Sequence, residues 1–169
     1  VQQLWDGEEY VLQIDAHMRF VPGWDELMID ELAACESQKP VLSCSPASYT
    51  PPNNLQKDPR PAIRRARPFQ PDGNIRGKGE ALDRVPEKPL NGAFVAAGFM
   101  FSRADIIREV PYDPYMYFDQ EEITYAARLY THGWDIFSSR RPLLYHYYND
   151  QQAEKGSVRP LHWRDLRKE

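Results

Sequence analysis

Proline density divides this chain before any other feature does. Nine of its fifteen prolines fall in residues 46–90. Proline fixes φ and has no backbone N–H, so this density resists regular helix or sheet. The same stretch holds nine Lys and Arg against five Asp and Glu, net +4, which leaves net −8 for the remainder of a chain whose total is −4. It is expected to form a solvated irregular loop. A loop of this length is also a frequent carrier of function, and Arg64, Arg65 and Arg67 could then face phosphate or an acidic acceptor.

On both sides of the loop the patterning is that of packed α/β structure. Tyr10 to Ile14 reads as a strand, and Asp15 to Pro22 as the loop that leaves it. Asp25 is placed to cap a helix whose Met28, Leu32 and Cys35 share one face. Val41 to Cys44 reads as another strand. Beyond the loop, Phe94 to Ser102 is an apolar strand with Gly98 inside it, a sign of close approach by a ligand or another backbone. Ser102 with Asp105, and Asp119 with Glu122, are spaced as capping boxes for two helices. The second helix would turn Ile123, Ala126, Ala127 and Tyr130 to one face and end at Gly133. Trp134–Phe137 and Leu143–Tyr147 read as the last strands. Residues 1–148 thus form one α/β unit, with 149–169 a polar tail.

Bulk properties limit the function classes. At 169 residues, 41% hydrophobic and 27% charged, this is an ordinary single globular domain. A net charge of −4 points to neither nucleic acid nor an anionic membrane as partner. No apolar run is long enough to span a bilayer, and no signal peptide is visible. The first residue is Val1 rather than Met, so an upstream segment is expected. Two cysteines, Cys35 and Cys44, do not make a disulfide framework and read as small buried hydrophobes, which suits a reducing, cytoplasmic setting.

The chemistry concentrates at Asp15-Ala16-His17 after the first strand. In an extended segment residues i and i+2 point the same way, so Asp15 and His17 can converge at the strand's carboxyl end, where open α/β sheets bind ligands. A carboxylate and an imidazole make half of a divalent metal site, and His146, at the end of the last strand, could complete it. The plainer alternative is a turn aspartate beside an ordinary histidine, with His146 a core residue among tyrosines. Asp119, Glu121 and Glu122 crowd a helix start, where acids complement the helix dipole. Glu122 is accounted for by capping. Glu121 is left to hydrogen-bond sugar hydroxyls or to stabilise positive charge at an anomeric carbon.

Taken in order, Leu12-Gln13-Ile14-Asp15-Ala16-His17-Met18-Arg19-Phe20, Gly23-Trp24-Asp25, Ala97-Gly98-Phe99-Met100-Phe101-Ser102, Tyr112-Asp113-Pro114, Glu121-Glu122-Ile123, Arg128 to Asp135 and His146-Tyr147-Tyr148 resemble the hydroxyproline-directed N-acetylglucosaminyltransferases. A more distant similarity is to the polypeptide N-acetylgalactosaminyltransferases, which also use Asp-x-His, Gly-Trp, an acidic helix start and a late metal-binding histidine. The chain departs from the pattern at Gln120, where a glycine usually precedes the Glu-Glu pair.

The resemblance implies a GT-A-type α/β domain with a mixed sheet. A complete domain of that type begins with a nucleotide-binding half, and only fourteen residues precede Asp15, so that half is expected to be missing here. It further implies a retaining glycosyltransferase that moves N-acetylglucosamine from UDP-N-acetylglucosamine to a protein hydroxyl, with a protein or peptide as acceptor. Asp15, His17 and His146 would hold Mn²⁺ or another divalent cation. Glu121 and Glu122 would be the catalytic carboxylates, and Gly98, Phe99, Asp119, Trp134 and Tyr148 would contact substrate. Two other readings stand beside it. Two histidines and a carboxylate also form the facial triad of non-haem Fe(II) oxygenases, although on an all-β barrel and in the order His-x-Asp. The chain could also be a non-catalytic sugar- or protein-binding relic of a transferase.

Overall fold

The computed structural model describes residues 2–71, 73–116 and 120–148. The tail at 149–169 and Asp119 therefore lie outside the described residues. In chain order the elements are β1 (Tyr10–Ile14), β2 (Met18–Phe20), α1 (Trp24–Ala33), β3 (Pro40–Leu42), β4 (Ala47–Thr50), β5 (Asn54–Leu55), β6 (Ala62–Ala66), β7 (Gly77–Ala81), β8 (Leu90–Gly92), β9 (Phe99–Arg103), α2 (Asp105–Glu109), α3 (Glu121–Thr131), β10 (Asp135–Ser138) and β11 (Leu144–His146).

The class is α/β with mixed sheets, as expected. A five-stranded sheet runs β1-β9-β3-β10-β8, and a smaller one runs β2-β11-β4-β5. In the large sheet β3 and β10 are parallel and the other pairs antiparallel. In the small one β11 is antiparallel to β2 and parallel to β4. Side chains alternate across a strand, and the large sheet uses both faces. Leu42, Phe101 and Phe137 pack with Met28 and Leu32 of α1 on one face. Val41, Met100 and Ile136 pack with Ile106 of α2 and Leu129 of α3 on the other. Each such fully buried chain contributes about 1.5–3 kcal/mol relative to exposure. Three helices laid against this sheet are not the all-β barrel that the oxygenase alternative requires.

Residues 46–90 depart most from expectation. The stretch contains β4, β5, β6 and β7 and ends on the first residue of β8. Its prolines stand beside the strands rather than in them: Pro51 and Pro52 fill the β4–β5 turn, Pro61 precedes β6 and Pro68 follows it. Proline tolerates those places because no ladder N–H is needed there. The β6–β7 hairpin pairs Ala62 with Ala81 through Ala66 with Gly77.

Smaller corrections share one cause, a local signal overridden by a tertiary contact. The segment after β1 contains β2, because β11 supplies it with a partner. The cap of α1 is Gly23, with φ 69°, and Asp25 lies inside the first turn; a left-handed residue there suits glycine. Ser102 caps nothing, since it is buried and its hydroxyl donates to the Pro40 carbonyl at 3.1 Å. Helix α3 has Gln120 as its N-cap, without a side-chain cap bond. Its core face is Tyr125, Ala126 and Leu129, whereas Tyr130 is 78% exposed. Ile123, Ala127 and Tyr130 line an open groove with Phe94 and Trp134. Gly133 ends α3 with φ 77°, as anticipated. Cys35 and Cys44 are free and buried. No described helix is long and apolar enough to cross a membrane.

Candidate metal centre and transfer site

The site lies where the large sheet hands the chain to the small one. β1 ends at Ile14, the chain bends through Asp15, Ala16 and His17, and β2 begins at Met18. The bend, not the extended geometry anticipated, brings Asp15 and His17 to one point. The pairing of β2 with β11 sets His146 opposite Met18, and the Tyr147 N–H donates to the His17 carbonyl at 3.0 Å. Asp15, His17 and His146 each offer a ligand atom, and these atoms lie within 4.8 Å of one another. His146 Nε2 stands 3.1 Å from Asp15 Oδ2, and the two imidazoles meet edge-on with centroids 6.3 Å apart.

The residues fit a divalent cation. Ligands of one ion at about 2.1 Å each stand up to about 4.2 Å apart, so a small side-chain adjustment brings the three onto one centre. One carboxylate with two imidazoles suits a first-row divalent ion and leaves positions open for ligand oxygens. His146 Nδ1 is buried and has no hydrogen-bond partner among the described residues. Asp15 and His17 are exposed, so the centre opens to solvent on that side.

Behind Asp15 stands the turn from Ala96 to Phe99. Phe99 N–H donates to the Ala96 carbonyl at 2.9 Å, and Asp15 N–H donates to the Gly98 carbonyl at 3.1 Å. The Ser43 hydroxyl spans the turn, accepting from Ala96 N–H at 2.7 Å and donating to the Phe99 carbonyl at 2.8 Å. Gly98 precedes β9 instead of lying within a strand, and a Cβ on it would sit 3.5 Å from the Asp15 Cβ, an ordinary contact. A cavity of about 300 Å³ opens beside this turn, lined by Asp15, Gly98, Glu121, Glu122, Arg76 and Gly77 among others.

The two helix-start carboxylates divide. Glu121 lines this cavity. Glu122 does too, and its carboxylate holds two partners: Oε1 accepts from Ala97 N–H at 2.8 Å, and Oε2 meets Arg64 Nη2 at 2.5 Å. That excludes the capping role anticipated for it, and it makes Glu122 a residue that holds the turn. Of the anticipated substrate contacts, Phe99 and Trp134 are buried in the core, whereas Tyr148 lies beside His146. Phe99 is fully buried and packs in the core of the large sheet. Trp134 is 2% exposed, and its indole N–H donates to Glu109 at 2.9 Å. Tyr148 donates to the Pro46 carbonyl at 2.8 Å and meets His146 edge-on at 4.4 Å, so it buttresses the His146 imidazole. Burial pushes its hydroxyl up to about 12.

Two features escaped the sequence reading. The β6–β7 hairpin contributes Arg76 and Gly77 to the cavity wall. Arg64 and Arg65, anticipated as phosphate or acceptor contacts, are paired within the chain to Glu122 and Glu80. The cluster of arginines was a visible signal, but their partners lie 58 and 15 residues away, and no local pattern names them.

Among curated proteins, none matches the chain. A family model described as Glycosyltransferase (GlcNAc) matches residues 1–167, nearly the full length, and with that match the chain belongs to this glycosyltransferase family.

Proposed function

We propose that this domain transfers N-acetylglucosamine from UDP-N-acetylglucosamine to a protein hydroxyl, with retention and with a divalent cation, in a GT-A-type arrangement. The observation that carries the reading is the convergence of Asp15, His17 and His146 beside a cavity that also holds Glu121. Asp15 and the two imidazoles would hold the ion, which when bound supplies Lewis-acid neutralisation of the donor diphosphate. In the transfer itself, the acceptor oxygen bonds to the anomeric carbon, the bond from that carbon to the diphosphate breaks, and the hydroxyl proton passes to the leaving phosphate. Glu121 then has the task of orienting a sugar in the cavity, and the Ala96–Phe99 turn that of holding Asp15 in place. The free, buried Cys35 and Cys44 agree with a cytoplasmic setting.

Calorimetric titration of UDP into the chain, with and without Mn²⁺, tests this. UDP binding that needs Mn²⁺ and disappears in His146→Ala is the expected result. Binding that ignores Mn²⁺ and survives His146→Ala would remove the cation from the reading. Mn²⁺-dependent binding of UDP-sugar with no transfer and no hydrolysis would favour a non-catalytic relic.

A further inference from the structure

Glu122 touches two parts of the molecule that are remote in sequence, and the metal centre lies one step beyond them. Its Oε2 meets Arg64 of β6 at 2.5 Å, and its Oε1 accepts from Ala97 N–H at 2.8 Å. Ala97 precedes Gly98, whose carbonyl accepts from Asp15 N–H, and Asp15 Oδ2 faces His146 Nε2. The other end of the chain of contacts is as closely built. The Arg64 side chain is 12% exposed, and Nη1 donates to the Ser45 hydroxyl at 3.2 Å. Its guanidinium lies over Gly77 so closely that a Cβ there would be 2.8 Å from it.

We infer that Arg64 and Glu122 are a positioning pair: through the Ala97–Gly98 turn they fix Asp15, and the seating of the β6–β7 hairpin thereby sets the affinity of the metal centre. The physical reason is geometric. A carboxylate held by a guanidinium on one oxygen has its other oxygen aimed in a fixed direction, and a charge-assisted bond to a backbone N–H is short and strong. Outer partners that orient a metal ligand typically change metal affinity 10–100-fold when removed. The surface pair Arg65–Glu80 on the same hairpin, with both side chains more than half exposed, has no such path to the site and serves as the internal control.

The inference rests on Asp15, His17 and His146 binding a divalent ion, so the test reads Mn²⁺ binding alone. Free Mn²⁺ is followed by electron paramagnetic resonance as the chain is titrated, without donor or acceptor. Arg64→Met and Glu122→Gln are each expected to weaken Mn²⁺ binding about tenfold, with the double variant no weaker than the weaker single one, while Arg65→Met leaves it unchanged. Gly77→Ala provides a variant whose strain falls on the flexible end of Arg64, so it displaces the guanidinium without threatening the fold. It is expected to weaken Mn²⁺ binding in the same direction. Unchanged Mn²⁺ affinity in Glu122→Gln and Gly77→Ala, with wild type binding normally, would overturn the pair's role and leave the metal centre standing. A wild-type chain that binds no Mn²⁺ would sink the metal centre and this inference with it.

Discussion

His146 Nε2 lies 3.1 Å from Asp15 Oδ2 across 131 residues of sequence. That contact is a hydrogen bond from imidazole to carboxylate. A divalent cation held here would take both atoms as ligands instead. The exchange gives a prediction. Asp15→Asn keeps the shape and a hydrogen-bonding oxygen but removes the charge that a divalent cation needs. Mn²⁺ affinity should fall at least tenfold by the resonance titration, with the melting temperature within a few degrees of wild type, because Asp15 is exposed and buries no charge. Equal affinity in Asp15→Asn would mean that the cation sits elsewhere.

Gly98 supplies a graded version of the same test. Its backbone does not need φ above zero, and a methyl group there would rest 3.5 Å from the Asp15 Cβ, an ordinary contact. Gly98→Ala should therefore fold and bind Mn²⁺ as wild type does. Gly98→Val adds branches that press on Asp15 and should lower Mn²⁺ affinity several-fold. If both variants bind alike, the close approach of the turn to Asp15 has no bearing on the centre.

Much of this could be read in the sequence, and the parts that could not share a cause. β1, the buried face of α1, the end of α3 at Gly133 and the last strand all follow from local periodicity or a single residue's conformational range. The convergence of Asp15, His17 and His146 followed from residue types and from a resemblance that ordered them. The β6–β7 hairpin was hidden because proline count was taken across the stretch, whereas what matters is each proline's place relative to a ladder N–H. The face of α3 was misassigned because Ile123, Ala127 and Tyr130 have the right period, yet the sheet took Tyr125 and Leu129 instead. Glu122 looked like a cap by spacing, and only a partner 58 residues away shows that it faces Arg64. Pairings of that range are set by packing and leave no local trace.

Alkaline titration should expose the buried thiols and phenols. Burial, with the Glu31 charge adding to it, pushes Cys35 up to about 12, and burial pushes Tyr112 to about 12. An unfolded thiol titrates near ~8.5 and an unfolded phenol near ~10. Between those values and about 12 the unfolded chain gives up protons that the folded chain keeps, so stability falls as pH rises. Urea midpoints should hold steady from pH 7 to 8 and then decline through pH 9 to 11. Each such group contributes at most about 1.4 kcal/mol per pH unit, and Cys35→Ala should make the decline shallower. A midpoint that stays level to pH 11 would contradict the burial of these groups.

Glu31 is the charged residue most deeply placed among the described ones. It is fully buried on α1, yet its carboxylate accepts from Arg140 N–H at 2.8 Å, Arg140 Nε at 3.0 Å and Arg141 Nε at 2.9 Å. These bonds tie α1 to the segment that leads into β11 and so to His146. Both oxygens are committed, and Glu31→Gln replaces one acceptor with a donor that faces arginine. A buried ion pair broken on one side costs roughly 3–5 kcal/mol, but the arginine side chains are 25% and 46% exposed and recover some hydration, which lowers the expected loss to about 2–4 kcal/mol. Arg141→Ala removes the more exposed partner and should cost about 1 kcal/mol or less. Urea unfolding of the two variants checks both values. A loss below 1 kcal/mol in Glu31→Gln would show that the carboxylate is not what fastens α1 to the strand carrying His146.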